Sequence, residues 1–326
     1  MNFGDRGGRQ PHREPWPLDR LVRERAIALG HTIDLSTLRT YLSALTSYLT
    51  FVRAHNFPVQ PTEDTLSFYV VYMSRHINPR SVNSYLSGIA QQLKDFFPTA
   101  RICRNSKLVH RTMQGCLKLY SEPTSRKSPP SPSDLNMVIT NYQQRPPSHD
   151  DLLFIAMLLT GFYALLQLGE MAFPDDTHIR DWHKISCRRT VMLTHSSYKF
   201  VLPYHKGDRF FSGNEVLVTA NSWDPNPVPH FSAYLSSRDS LFPVHSPLWL
   251  RQDGQVPTRT FFIRRLGEFF GKDICGQSMR AGGATFLAGY GVSPSLIQAR
   301  GRWSSDAFLI YIRKNPALLI DLITSP

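Results

Sequence analysis

The stretch Gly276-Gln-Ser-Met-Arg-Ala-Gly-Gly-Ala-Thr285 places Arg280 at the head of a run of small residues. Ser278 is typical of a helix start, so the stretch predicts a helix over residues 278–289 with the arginine in its first turn. The glycines and alanines behind it allow a neighbouring helix or backbone segment to approach closely. Further on, Trp303 stands 23 residues after Arg280, and Tyr311 stands 8 residues after Trp303. These three side chains at this spacing are the strongest functional signal in the chain.

The Arg–Trp–Tyr spacing resembles the end of a tyrosine recombinase, a member of the phage-integrase family. In that family the arginine grips the scissile phosphate, the tryptophan supports it, and the tyrosine attacks to form a 3′-phosphotyrosyl DNA intermediate. The resemblance implies these roles for Arg280, Trp303 and Tyr311. Three further segments are most similar to the Crypton-like tyrosine recombinases of fungal genomes: Trp249-Leu-Arg-Gln-Asp-Gly, Ile263-Arg-Arg-Leu and Ile310-Tyr-Ile-Arg-Lys-Asn-Pro.

Two positions depart from the family pattern. The family motif reads His-x-x-Arg, and this chain has Gln277 in place of the histidine. The first family arginine is expected in the segment that runs from Thr160 to Met171, where Gln167 occupies its place while Glu170 is retained. Glutamine can donate a hydrogen bond but has neither charge nor a bidentate fork. The resemblance therefore implies a degenerate active site.

A lysine in a β-hairpin completes the family's catalytic set as general acid. Lys206 resembles it, because it lies in a polar turn between two predicted strands, at 198–202 and 215–219. Lys199 and Arg209 are competing assignments for the same role.

The pattern of helices and strands predicts an α+β protein that is mainly α. A basic arm and short helix (1–30) precede a helical domain (31–120), and the first 120 residues together are expected to hold four to five helices. Helix caps are expected at Asp34 or Ser36 and at Thr62. The segment 121–133 holds four prolines and five serines and is typical of a linker. A second domain follows (134–326), with its first cap expected at Ser133-Asp134. The resemblance implies a SAM-like core-binding domain and an integrase-like catalytic domain with a small antiparallel sheet.

The charge of the chain favours a polyanionic partner. The formal net charge is +12, and residues 1–130 carry 18 Lys/Arg against 9 Asp/Glu. Each Lys or Arg that meets a phosphate releases condensed counterions, so a basic half of this kind is suited to double-stranded DNA. The expected DNA-binding side chains form one basic run: Arg101, Arg104, Lys107, Arg111 and Lys118.

Composition argues against several other classes of protein. No apolar run reaches the 18 or more residues of a membrane span, and the Arg-rich N-terminus has no secretory signal. The four cysteines are widely spaced, so neither a zinc site nor a disulfide framework is predicted. We expect no cofactor and no metal.

The leading hypothesis is a DNA-binding protein of the recombinase family that is domesticated or decayed and cleaves DNA weakly or not at all. One alternative is an active site-specific recombinase in which Arg300 or Arg302 supplies the missing charge. A second alternative is a protein-interaction module that has lost DNA binding. The resemblance also implies a nuclear location, self-association as a tetramer on DNA, and an apolar tail (318–323) that packs in cis or in trans.

Overall fold

The computed structural model describes residues 14–30, 32–122, 129–204, 213–220, 225–271, 274–305 and 308–309. The chain divides into two compact units, Met1–Thr124 and Ser125–Pro326. Within the described ranges, no helix is both long and apolar enough to cross a membrane.

The first unit is helical throughout its described part. Its helices are α1 (Leu18–Gly30), α2 (Leu35–Ala54), α3 (Glu63–Met73), α4 (Pro79–Leu93), α5 (Ala100–Arg104) and α6 (Lys107–Tyr120). The α2 helix packs along α4, and α3 packs along α6. Their shared core is fully buried at Tyr48, Tyr69, Val82 and Ile89, so four helices enclose one hydrophobic centre.

The helix starts of this unit agree with the capping chemistry in the sequence. Asp34 caps α2 by accepting a hydrogen bond from the Ser36 amide at 3.3 Å. Thr62 and Thr65 form a reciprocal capping box at the start of α3. The region after Pro98 differs from the single predicted helix. Ser106 interrupts it and caps α6 by accepting from the Val109 amide at 3.3 Å, so the described unit has six helices rather than four to five.

The second unit combines helices with a small sheet. Its helices are α7 (Pro132–Gln143), α8 (His149–Tyr163), α9 (Pro227–Leu241), α10 (Arg259–Phe270), α11 (Ser278–Gly289) and α12 (Pro294–Gly301). Short 3₁₀ turns follow α8, and the first of them spans Leu168–Glu170. The α8 helix is buried on nearly all sides and packs against α9 and α11, which makes it the central element of this unit.

The sheet is an antiparallel meander of β1 (Met192–Leu193), β2 (Ser197–Leu202) and β3 (Asn214–Thr219) in the order β1-β2-β3. Alternate residues of β2 are buried, and Tyr198 stacks on Phe231 of α9 with ring centroids 3.9 Å apart. A mainly α chain with one small antiparallel sheet is the predicted fold class, and the structure confirms it.

The first helix of the second unit begins earlier than predicted. Ser131, not Ser133 or Asp134, is the N-cap of α7. The Asp134 carboxylate accepts from the Ser131 amide at 2.7 Å, while the Ser131 hydroxyl accepts from the Asp134 amide at 3.3 Å. This box, together with Pro132 at the first helical position, brings the last two residues of the predicted linker, Pro132 and Ser133, into the helix.

Candidate active site

Arg280 lies in the first turn of α11 and is almost fully buried. Its guanidinium carbon stands 4.2 Å from the centre of the Trp303 ring, and its Nη2 donates to the Gly301 carbonyl. A planar cation stacked on an indole and tied to a backbone carbonyl has few rotamers left. The structure thus brings together two of the predicted site residues, Arg280 and Trp303, and fixes the arginine in place.

Close packing on two glycines permits this arrangement. A Cβ atom on Gly283 would overlap the carbonyl oxygen of Phe162 in α8, and one on Gly301 would overlap the Trp303 ring. The α11 helix therefore rests directly on the end of α8, and Trp303 folds back over the end of α12. The predicted reason for the small residues behind Arg280, close approach of a neighbouring backbone, is confirmed.

The two glutamines at the departing positions have different surroundings. Gln277 is the N-cap residue of α11, and its side chain is exposed and makes no capping hydrogen bond. Gln167 is half-buried just beyond α8. Its backbone N–H donates to the Glu170 Oε2 at 2.7 Å, which closes the 3₁₀ turn. The retained acid thus orders the backbone at the position where the family carries its first arginine.

Two arginines at the end of α12 donate hydrogen bonds to the backbone between α8 and Gln167 and at the end of α8. Arg300 Nε donates to the Tyr163 carbonyl at 2.9 Å. Arg302 Nη2 donates to the Leu165 carbonyl at 3.3 Å and lies 3.5 Å from the Glu170 carboxylate. The Tyr163 carbonyl is the last of α8 and the Leu165 carbonyl lies two residues beyond it. A helix leaves its last acceptors unpaired at this end and carries partial negative charge there. The two guanidinium groups therefore act as a C-terminal cap supplied by a distant part of the chain.

The local electrostatics of this cluster are positive. Burial lowers the pKa of Arg300 and of Arg302, and the Glu170 carboxylate partly offsets the effect at Arg302. An arginine remains protonated at neutral pH even so. Arg280 contacts Gly301, and Arg300 and Arg302 flank it in the chain. Among the described residues, Glu170 is the one carboxylate that pairs with any of these three cations. The excess charge suits an anion such as a phosphate.

The structure describes only one of the remaining candidate catalytic residues. Lys206, its competitor Arg209 and the predicted nucleophile Tyr311 lie outside the described residues. Lys199, the other competing assignment, pairs across the sheet with Glu215 at 2.7 Å. This ion pair joins the Lys199 ammonium to the neighbouring strand, and the assignment of the general acid stays a prediction.

The predicted DNA-binding residues occupy α5 and α6. Lys107, Arg111 and Lys118 are exposed and recur at helical spacing along α6. Arg101 and Arg104 instead hold side-chain amides of α4: Arg101 donates to Gln91, and Arg104 donates to Asn83 at 3.2 Å. Between Asp64 and Glu122 there are eight Lys/Arg and a single acid, Asp95. The basic run is thus two sets of side chains: three cations on one exposed helix face and two that organise a neighbouring helix.

No family model and no curated protein matches this sequence. Solved structures match the fold. The chain is similar to the XerH site-specific recombinase in a post-cleavage complex with its palindromic difH substrate, with a TM-score of 0.60, 14% identity and coverage of 87% of this chain and 78% of that one. It is also similar to a lambda integrase dimer bound to a COC′ core site, with a TM-score of 0.55, 11% identity and coverage of 90% and 94%.

A third similar structure is the Tn1549 transposon integrase in complex with transposon right end DNA, with a TM-score of 0.51, 13% identity and coverage of 83% and 93%. The fold of this chain is therefore that of the tyrosine recombinases and integrases, as the resemblance of its C-terminal motifs predicted.

Proposed function

We propose that this chain is a DNA-binding protein of the tyrosine recombinase fold whose phosphate site persists while its capacity to cleave DNA is strongly reduced. The proposal rests chiefly on the buried Arg280 stacked on Trp303. The Trp303 ring and the Gly301 carbonyl hold this cation in one orientation, and a preorganised cation is what stabilisation of a phosphate requires. The positive excess around Gly301 gives an anionic ligand a favourable place to bind, and the basic α6 face supplies further phosphate contacts.

Two substitutions account for the reduced cleavage. Removing one preorganised charged donor to a transition state lowers the rate by roughly 10²- to 10³-fold. Replacing an acid–base histidine costs about 10²-fold or more. The effects of residues that act on one transition state do not add simply. With Gln167 and Gln277 both uncharged, covalent strand cleavage falls toward the limit of detection, whereas affinity for DNA is spread over many contacts and survives.

One observation favours a second candidate, an active recombinase with substitute cations. Arg300 and Arg302 converge on residues 163–170, which hold Gln167. Their donors are committed to backbone carbonyls and to Glu170, so we propose that they order the site rather than replace the missing arginine at the phosphate.

Trapping of a covalent protein–DNA adduct tests the proposal. A duplex that the full-length protein binds is first selected from a randomised library, then nicked near the bound centre so that a cleaved strand cannot be rejoined. We expect clear binding in a mobility-shift assay and an adduct at or near background on a denaturing gel, equal to that of Tyr311→Phe. An abundant adduct that Tyr311→Phe removes would establish the active recombinase instead. If the protein binds no duplex, the remaining alternative is a protein-interaction module that has lost DNA binding.

We also propose a nuclear location and self-association on DNA. Sedimentation of the protein with and without the selected duplex measures the second, and an imaging experiment on the tagged full-length chain measures the first.

A further inference from the structure

The exposed side of α4 is a continuous polar face. At 3.6 residues per turn, six side chains fall within an arc of about 100°: Arg80, Asn83, Ser84, Ser87, Gln91 and Lys94. The buried side of the same helix is apolar at Val82, Leu86 and Ile89. The polar face thus has a cation at each end, amides and hydroxyls between them, and no acid.

Two arginines of α5 fix the orientation of the amides on this face. Arg104 Nη2 lies 3.2 Å from Asn83 Oδ1 and 3.2 Å from Ser87 Oγ, and its Nη1 lies 2.9 Å from Asn105 Oδ1. Arg101 Nη2 donates to Gln91 Oε1. A guanidinium has donors only, so the amide atom that faces it must be the oxygen. The NH₂ group of each amide is therefore the part left to meet a ligand.

This orientation limits what the amides can recognise. An asparagine or glutamine that reads adenine uses both atoms: the oxygen accepts from N6 and the nitrogen donates to N7. With the oxygen engaged by an arginine, only donation remains. Guanine presents two acceptors in the major groove, N7 and O6, and thymine presents one, O4, whereas adenine pairs its N7 with a donor.

We infer that α4 reads base edges in the major groove and that Asn83 and Gln91 act there as donor-only groups that favour guanine, with Arg104 and Arg101 as their positioning residues. The inference rests on the proposed DNA binding and adds to it the chemistry of the bases chosen. An α-helix fits the width of the major groove. The exposed cations Lys107, Arg111 and Lys118 on α6 provide phosphate contacts that carry no sequence information.

Selection of bound duplexes from a randomised library, with the full-length protein, tests the inference. We expect the unaltered protein to select guanine at one or more positions. Asn83→Ala should abolish the preference at one of those positions and weaken binding to the selected duplex about 5-fold, the low end for a bidentate base contact, because the amide only donates. The control Gln92→Ala, an amide of the same helix outside the polar face, should leave both unchanged.

The positioning role has its own readout. Arg104→Met keeps an unbranched side chain but releases Asn83 Oδ1 to accept, so the preferred base at the Asn83 position should change from guanine to adenine. Arg104→Lys, which retains a donor, should keep guanine. A purely structural role for Arg104 predicts weaker binding with the same base preference, and that result would overturn the positioning assignment.

The outcomes separate this inference from the proposed function. Failure of the unaltered protein to bind any duplex would overturn both. Tight binding with a base preference that Asn83→Ala and Gln91→Ala leave intact would overturn the inference alone. So would an adenine preference of the unaltered protein that Asn83→Ala removes, because it requires an amide oxygen that accepts from the base.

Discussion

At the scale of single residues, Gln167 and Gln277 stand at the two positions where the recombinase resemblance places an arginine and a histidine. Gln277 is exposed at a helix start, so Gln277→His should be nearly neutral for stability. Gln167→Arg adds a cation at a residue whose backbone amide already contacts the Glu170 carboxylate. We expect the double variant to form covalent adduct on a nicked duplex at a rate raised by several orders of magnitude, and either single variant to recover far less.

The double variant is informative only with its nucleophile control. Adding Tyr311→Phe must remove the adduct on the same denaturing gel. Normal duplex binding without any adduct in the double variant would mean that the loss of catalysis extends beyond these two side chains. An adduct that survives Tyr311→Phe would identify a different nucleophile.

Gly283 offers a second test at this scale, because a methyl group there has no space. A Cβ would overlap the Phe162 carbonyl oxygen, whereas a Cβ on Gly289 of the same helix meets nothing within 4 Å. We expect Gly283→Ala to lower the free energy of unfolding by about 1–3 kcal/mol or more, as overpacking does. Gly289→Ala should be neutral or slightly stabilising. Urea denaturation measures both, and equal stabilities would contradict the close packing of α11 on α8.

At the scale of elements, the start of α8 depends on a buried carboxylate. Asp151 accepts from Arg265 Nη1 at 2.6 Å and from the Ser148 amide at 2.9 Å. Burial alone would raise the pKa of Asp151, but these hydrogen bonds outweigh it and hold the pKa below its usual value. A depressed pKa means that the ionised form stabilises the fold above the unfolded-state pKa of about 3.9. That contribution is lost as pH falls through the lower folded-state pKa.

We therefore expect Asp151→Asn to lower the free energy of unfolding at pH 7 by about 3 kcal/mol, the low end for breaking a buried ion pair. The difference between the two proteins should shrink as pH falls below about 4. Asp253→Asn is the matched control, because Asp253 pairs with Arg251 on the surface and such pairs are worth about 0–1 kcal/mol. A difference that stays constant down to pH 2 would exclude ionisation as its cause.

The starts of helices could be predicted where a capping residue or a proline in the local sequence determines them. Asp34, Thr62 and Pro79 mark helix starts in the sequence, and α2, α3 and α4 begin beside them. The predicted start of α7 was wrong, because Ser131 and Ser133 are both good caps and only the reciprocal bond to Asp134 selects Ser131. The contacts of Arg300 and Arg302 with α8 span more than 130 residues of chain. No periodicity or spacing signals such long-range pairs.

At the scale of the whole molecule, the proposed DNA binding should depend strongly on salt because of the net charge of the chain. With a formal charge of +12 and a basic face on α6, neutralisation of roughly 6–8 phosphates should give a slope of log affinity against log salt near −5 to −7. Fluorescence anisotropy of a labelled duplex between low and moderate salt measures the slope. A flat response would remove electrostatic DNA binding from the proposed function.

The position of the charge, and not only its total, should matter. Lys107→Glu with Arg111→Glu reverses two exposed cations of α6, whereas Arg39→Glu with Arg53→Glu changes the net charge by the same amount on α2. If α6 lies along the phosphate backbone, the first pair should flatten the salt slope by about 2, one unit for each lost phosphate contact, and weaken binding at low salt by several orders of magnitude. The second pair should act only through the long-range field, which salt screens beyond about 10 Å at 0.1 M, so its slope should change little. Equal losses from both pairs would mean that the whole surface, rather than the α6 face, attracts the duplex.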